Sequence, residues 1–260
     1  VDELVKSEGF DRPQIFIAED ISRFEQVACA DSNCKISESA GDAVTDSEND
    51  MLATVRRQMS MTDPLYIIYT SGSTGNPKGV MTSHLSLMTY INAYCDVMHI
   101  EESDVLGNQS PLDYIAAIRD IYLPLKTGCS TAIIPKEYFM EPNILFDYMN
   151  NKNVTSVGWS VSAFTILSSL GAFEEVKLNS LRKICFSGSV MPCKILRIWQ
   201  ENLKGAHFVN QYGPTEATAS CTYYSVDHLV DDDEVLPIGQ AYDNYRVFLI
   251  GEDGKVPQTG

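Results

Sequence analysis

The chain is poor in positive charge, in long apolar runs and in paired cysteines, and each shortage removes a class of protein. It carries 19 lysines and arginines against 35 aspartates and glutamates in 260 residues, a formal net charge of -16. No broad basic face is therefore on offer to nucleic acid or to an anionic membrane surface. No apolar run approaches the roughly 20 residues that span a bilayer, and no basic segment followed by an apolar one opens the chain. The 7 cysteines, Cys29, Cys34, Cys95, Cys129, Cys185, Cys193 and Cys221, form an odd set without paired spacing. That argues against a disulfide framework or a structural zinc and for free thiols in a reducing compartment. His84, His99, His207 and His228 lack metal-ligand spacing. No fixed-period repeat is visible. These absences leave a cytoplasmic protein as the expectation, and Val1 in place of an initiator methionine reads as the start of a piece of a longer chain.

What is present suffices for a sizeable core, with 44% hydrophobic residues in one large or two small domains. The most informative stretch is Tyr-Thr-Ser-Gly-Ser-Thr-Gly-Asn-Pro-Lys-Gly-Val at 69–80. Gly72, Gly75 and Gly79 let backbone N–H groups approach an anion, Thr70, Ser71, Ser73 and Thr74 add hydroxyl donors, and Lys78 adds a positive charge. The spacing departs from the Walker A loop, which disfavours an ordinary P-loop NTPase. The same composition also suits a flexible surface turn. The preceding Leu65 to Tyr69 reads as a buried strand carrying the loop.

Residues 31–60 are polar, acidic and poor in aromatics, the composition of a mobile extended loop or linker. The acidic runs Glu38 to Asp50 and Asp231 to Glu234 read as solvated loops rather than metal sites. Strand-like runs occur at 14–18, 65–69, 131–134, 154–157, 183–187, 208–211 and 245–250, with helix-like segments near 85–97, 115–126, 142–151, 161–170 and 192–202. Alternation of this kind predicts an α/β fold, a sheet flanked by helices, with sites at the carboxyl ends of strands. The loops after Tyr69 and Gln211 are expected there.

A second motif, Asn-Gln-Tyr-Gly-Pro-Thr-Glu-Ala-Thr at 210–218, sets an aromatic, a turn, a hydroxyl and a carboxylate after a strand. It fits two readings equally. Tyr212 could stack a base while Thr215 meets a phosphate and Glu216 a Mg²⁺ ion, or the segment could be a turn into a helix capped by Thr215.

With Pro-Ile-Gly-Gln at 237–240, the two motifs resemble the adenylate-forming enzymes. The resemblance is strongest to the amino-acid adenylation domains of nonribosomal peptide synthetases, with D-alanine:carrier-protein ligases as close neighbours. It implies an ATP-dependent ligase that joins a carboxylic acid to ATP and loads the acyl adenylate on the phosphopantetheine thiol of a carrier protein. Residues 1–260 would be an incomplete large N-terminal domain, central β-sheets flanked by helices, without the C-terminal lid domain and its catalytic lysine, and poorly active alone. Thr70, Ser71, Gly72, Ser73, Thr74, Gly75 and Lys78 would cradle the β- and γ-phosphates. Gly188, Ser189, Asn210 and Tyr212 would hold adenine, Thr215 would meet the α-phosphate and Glu216 would hold Mg²⁺.

The same resemblance places the acyl pocket at Ile115, Ala116, Arg119, Trp159, Cys185, Ser187, Gln211, Ala219 and Ser220. Ile115 stands where amino-acid-activating members carry an aspartate for the substrate ammonium, and Asp113 lies two residues earlier. Arg119 reads either as a guanidinium seeking a carboxylate or phosphate or as an intrahelical or surface ion pair with neighbouring acids. Trp159 fits a pocket wall and plain core alike, and Cys185 and Cys193 read as inert packing thiols. Two further expectations stay open: a non-catalytic nucleotide- or carrier-binding module, and an aryl- or acyl-acid ligase of the same superfamily.

Overall fold

The computed structural model describes residues 46–70, 76–112, 114–243 and 245–250. The chain divides after Met59 into two units. In the first, α1 (Asp46–Gln58) is a helix of 13 residues, which corrects the expected loop over that stretch. Acidic residues open its sequence and Arg56 and Arg57 close it, an order that complements the helix dipole. Residues 31–45 and the strand expected at 14–18 lie outside the described residues.

In the second unit, β1 (Pro64–Thr70) and β2 (Lys78–Ser83) form an antiparallel pair of their own. The strand carrying the glycine-rich loop is therefore not buried in the main sheet, and Ile67 and Tyr69 are exposed. Lys78 begins a strand that the sequence pattern does not reveal, antiparallel to β1.

A mixed sheet holds β3 (Val105–Asn108), β4 (Ser130–Ile133), β5 (Ser156–Ser160), β6 (Lys183–Ser187), β7 (His207–Tyr212), β8 (Thr222–Val226) and β9 (Gln240–Ala241). Its order is β4-β3-β5-β6-β7-β8-β9; β3 to β7 run parallel, and β8 and β9 antiparallel. Strand order reverses beside β3, which has β4 on one side and all later strands on the other. Ligands of open α/β sheets bind at the carboxyl ends beside such a reversal.

Helices α2 (His84–Met98) and α3 (Ile118–Thr127) cover one face, where Leu87, Tyr90, Tyr94 and Leu123 pack around Cys185 and Val209. Helices α4 (Pro142–Asn151), α5 (Val161–Ser169) and α6 (Cys193–Asn202) cover the other, with Phe146, Phe164 and Trp199 packed on Val157 and Phe186. Burial on both faces explains why β5 is buried along all but its last residue. The Ser83 Oγ accepts from Ser86 N at 3.2 Å and caps α2.

All five helices expected in this unit form, each close to the predicted limits. The strand expected at 154–157 is shifted to Ser156–Ser160. The one expected at 245–250 does not form, and Val247, Phe248, Leu249 and Ile250 are exposed. An apolar run becomes a strand only where a ladder partner exists, and among the described residues this one has none. At the amino ends of β3 and β6, the buried Asp104 receives Lys183 Nζ at 2.6 Å, Arg182 Nη2 at 2.8 Å and Thr155 Oγ1 at 2.6 Å. Those bonds tie the end of the sheet opposite the candidate site.

Candidate active site

The phosphate-loop residues at each end of the hairpin meet. Thr70 closes β1 opposite Lys78, the first residue of β2, and its Oγ1 donates to the Lys78 carbonyl at 3.5 Å. Lys78 is exposed and, among the described residues, has no ion-pair partner. Ser71, Gly72, Ser73, Thr74 and Gly75 lie outside the described residues. Strand β2 packs against the short 3-10 turn Thr215–Ala217, so the first and second motifs are brought together although 132 residues separate Ser83 from Thr215.

The second motif occupies the carboxyl end of β7. Tyr212, its last residue, is 52% exposed and offers a free aromatic face. Gly188 and Ser189 follow the neighbouring β6 and are both exposed; Gly188 has φ +93° with open space beside it, a backbone conformation that favours glycine. Asn210 Nδ2 donates to the Pro237 carbonyl at 2.9 Å, which links the second motif to the third. Glu216 is exposed and has no ion-pair partner among the described residues.

The strand registers order the pocket residues in two rows on the face covered by α2 and α3. Gly158, Cys185 and Val209 lie side by side, and Ser160, Ser187 and Gln211 form the next row toward the carboxyl ends. Ile115 and Ala116 enter on the 3-10 turn before α3, with Ile115 in the apolar cluster of this face. Ala219 packs at its edge and Ser220 is buried beside it. Asp113 lies outside the described residues.

Trp159 requires a correction. It projects to the opposite face, where it packs edge-on against Phe139 and Trp199 and donates its indole N–H to the Gly107 carbonyl at 2.8 Å. The alternation of side chains along β5 sends it there, because its neighbour Gly158 faces α3. It is core, not pocket lining.

Arg119 is 3% exposed, so the ion pair expected as intrahelical or at the surface is a buried, intrahelical one with its neighbour Asp120. Its Nε stands 3.5 Å from Asp120 Oδ1, and its guanidinium lies over the Tyr94 ring at 5.8 Å. Burial opposes the Arg119 charge, but Asp120 and the tyrosines outweigh it and keep its pKa above the usual value. Burial pushes the Asp120 carboxyl up, with Arg119 pulling it back. Burial also pushes the Cys185 thiol up to about 12, consistent with an inert packing thiol.

Beyond the adjacent Asp120, sequence patterns alone do not reveal Tyr90, Tyr94, Gly158 and Tyr242 around Arg119. Tyr90 and Tyr94 share a face of α2 by their spacing, the one signal available beforehand. Among the described residues no group of His, Cys, Asp and Glu suits a metal ion, and no helix is long and apolar enough to cross a membrane.

The fold is a flanked α/β sheet with an open aromatic and a hydroxyl turn at the end of β7, and the lysine-bearing strand β2 packed on that turn. The chain belongs to the AMP-binding enzyme family, which matches residues 9–260. It is similar to the D-alanine–D-alanyl carrier protein ligase of Bacillus licheniformis, 33% identical over 200 residues, covering 76% of this chain and 40% of that protein. The Bacillus cytotoxicus protein of the same name is 32% identical over 197 residues, covering 75% of this chain and 39% of that protein. Among solved structures, the Vibrio cholerae adenylation domain AlmE with glycyl-adenosine-5'-phosphate superposes with TM-score 0.69 at 25% identity, covering 79% of this chain and 38% of that one. The chain thus spans about 40% of the length of the relatives it matches.

Proposed function

We propose that the protein activates a carboxylic acid with ATP, releasing pyrophosphate, and passes the acyl group to the phosphopantetheine thiol of a carrier protein. The observation that carries this reading is the packing of β2, which begins with Lys78, against the Thr215–Ala217 turn beside the open face of Tyr212. The names of the similar ligases and the glycyl-adenylate in the similar adenylation domain support it.

In this reading Thr70 to Gly75 and Lys78 hold the β- and γ-phosphates. Tyr212 stacks on adenine, the open space beside Gly188 and Ser189 receives the other side of the base, and Asn210 stands near its amino edge. Thr215 meets the α-phosphate. The residues fit Mg²⁺ as well: Glu216 offers a single free carboxylate, and Mg²⁺ takes one or two carboxylates with phosphate and water oxygens in the rest of its octahedral shell. The ion offsets the repulsion between the two anions that must meet, and the donors position them. Ile115, Ala116, Cys185, Ser187, Gln211, Ala219 and Ser220, with Arg119, line the acyl side.

ATP–pyrophosphate exchange by the full-length protein, across amino, aryl, aliphatic and dicarboxylic acids, tests the reading. Acid-dependent exchange is expected. Nucleotide binding without exchange for any acid overturns it in favour of a non-catalytic module.

A further inference from the structure

The sheet face under α2 and α3 holds a group of buried polar atoms with nothing to bind. Among the described residues, Arg119 Nε, Asp120 Oδ2, the hydroxyls of Tyr90 and Tyr242 and both amide atoms of Gln211 are buried without a hydrogen-bond partner. Folded proteins leave few such atoms, and each asks for an explanation. Tyr90, Tyr94, Tyr242 and Cys185 belong to one buried cluster, and Arg119 lies over the Tyr94 ring and against Asp120, so the group around Arg119 is one site. A guanidinium has five N–H donors in a planar fork. Among the described residues the Nε of this one is buried without a hydrogen-bond partner, and its ionic contact with Asp120 is a long 3.5 Å.

Position gives the vacant donors a purpose. Arg119 rests on Gly158 in β5, beside Cys185 in β6. The next row toward the carboxyl ends is Ser160, Ser187 and Gln211, and two residues along a strand is ~7 Å. Arg119 therefore lies one row beneath the strand ends where Gly188, Tyr212 and Thr215 stand, next to the reversal of strand order. A molecule entering from that end would reach Arg119 with its far end. Ile115 is in the apolar cluster of this face and brings no charge to it.

We propose that the acyl pocket selects an acid with a second carboxylate, and that Arg119, with the Tyr90 hydroxyl beside it, receives that distal carboxylate. This rests on the acid-activation reading above. The bidentate match between guanidinium and carboxylate supplies the recognition, and the unpaired donors supply the discrimination. An isostere ending in a methyl group leaves all of them buried and unsatisfied, the condition under which polar pockets reject analogues most strongly. Arg119 is then a specificity-determining residue.

The test compares pairs of equal chain length in ATP–pyrophosphate exchange by the full-length protein: glutarate with pentanoate, adipate with hexanoate, L-glutamate with L-norvaline. The expected preference in kcat/KM for the dicarboxylate is on the order of 100-fold or more in at least one pair. Arg119→Met should erase that ratio, and Arg119→Lys should restore part of it, a readout that loss of stability alone does not move. Exchange that favours the monocarboxylates, or a ratio unchanged in Arg119→Met, overturns the proposal and leaves acid activation standing. Equal rates within every pair overturn it too, and are the result expected if a trapped water satisfies these groups instead. If no acid supports exchange, activation itself fails, and calorimetric titration with glutarate and adipate decides the subsite: heat lost in Arg119→Met supports it, and absence of heat in the parent protein overturns it. If Arg119→Met does not fold, the comparison moves to the parent protein and Gly158→Ala, which displaces the guanidinium: a ratio that falls in Gly158→Ala supports the proposal, and an unchanged one overturns it.

Discussion

The guanidinium of Arg119 lies directly on the backbone of Gly158, so close that a β-carbon there would stand 2.4 Å from Nε and 2.6 Å from Cζ. The two residues therefore depend on each other. In Gly158→Ala the added methyl must displace the guanidinium within a packed interior, at an expected cost of about 1–3 kcal/mol. Urea unfolding of Gly158→Ala, Arg119→Met and the double variant measures it. The penalty should shrink in the Arg119→Met background, where the obstructing fork is gone. Additive penalties would mean that Gly158 is constrained by something other than Arg119.

Asp104 should be the costliest carboxylate to remove from the far end of the sheet. Its side chain is fully buried, and Lys183, which pairs with it, is 12% exposed. Asp104→Asn leaves the lysine without its counter-charge, and breaking a buried pair this way costs ~3 kcal/mol or more. Burial raises the Asp104 pKa, but hydrogen bonds from Lys183 and Thr155 outweigh it and hold the carboxyl below its usual range. The stabilisation is thus complete above the unfolded carboxylate value of about 3.9 and is lost as pH falls through the lower folded value. Chemical unfolding at neutral pH checks the first number. The acid limb of the same profile, flattened in Asp104→Asn, checks the second.

His207 should weaken the fold at milder acidity. Burial lowers its pKa, with His99 and Lys183 adding to that effect and a hydrogen bond to the Val97 carbonyl opposing it. As pH falls below the ordinary imidazole value of about 6.5, the unfolded chain takes up the proton first. Stability is then full above that value and declines toward the depressed folded value. The exposed His228 has the opposite sign, because Glu234 and Asp227 raise its pKa. His207→Gln should flatten the decline that sets in below about pH 6.5, whereas His228→Gln should not. A slope unchanged in His207→Gln would remove His207 as its source.

Helices were legible in the sequence wherever an apolar stripe faced the sheet, as in α5 and α6. The phosphate and adenine motifs were legible because glycines, hydroxyls and one lysine in that order have few other uses. What escaped depended on tertiary partners. β2 starts with Lys78-Gly79 and gains its identity from pairing with β1, and 245–250 has strand composition without a ladder. Arg119 was legible as a pocket or ion-pair residue with Asp120 beside it, but its packing was not, because Tyr90, Gly158 and Cys185 lie far along the chain. Trp159 was ambiguous until the register of β5 fixed which face it meets.

Lys78 and Glu216 should separate binding of the nucleotide from dependence on the metal. Lys78 is exposed, without an ion-pair partner among the described residues, so Lys78→Ala should leave the unfolding midpoint unchanged. A charge-assisted hydrogen bond to phosphate contributes about 1.5–3 kcal/mol, which corresponds to roughly tenfold to 150-fold weaker MgATP engagement. Glu216→Gln retains size and hydrogen bonding but loses the hard anionic oxygen that suits Mg²⁺. Its half-saturating Mg²⁺ concentration should rise while the response to ATP at saturating Mg²⁺ stays close to that of the parent. Titrating Mg²⁺ at fixed ATP, then ATP at saturating Mg²⁺, distinguishes the two variants. If both shift only the ATP response, Glu216 acts on the nucleotide and not on the ion. If neither shifts either curve, the hairpin and the Thr215–Ala217 turn pack together for structural reasons alone.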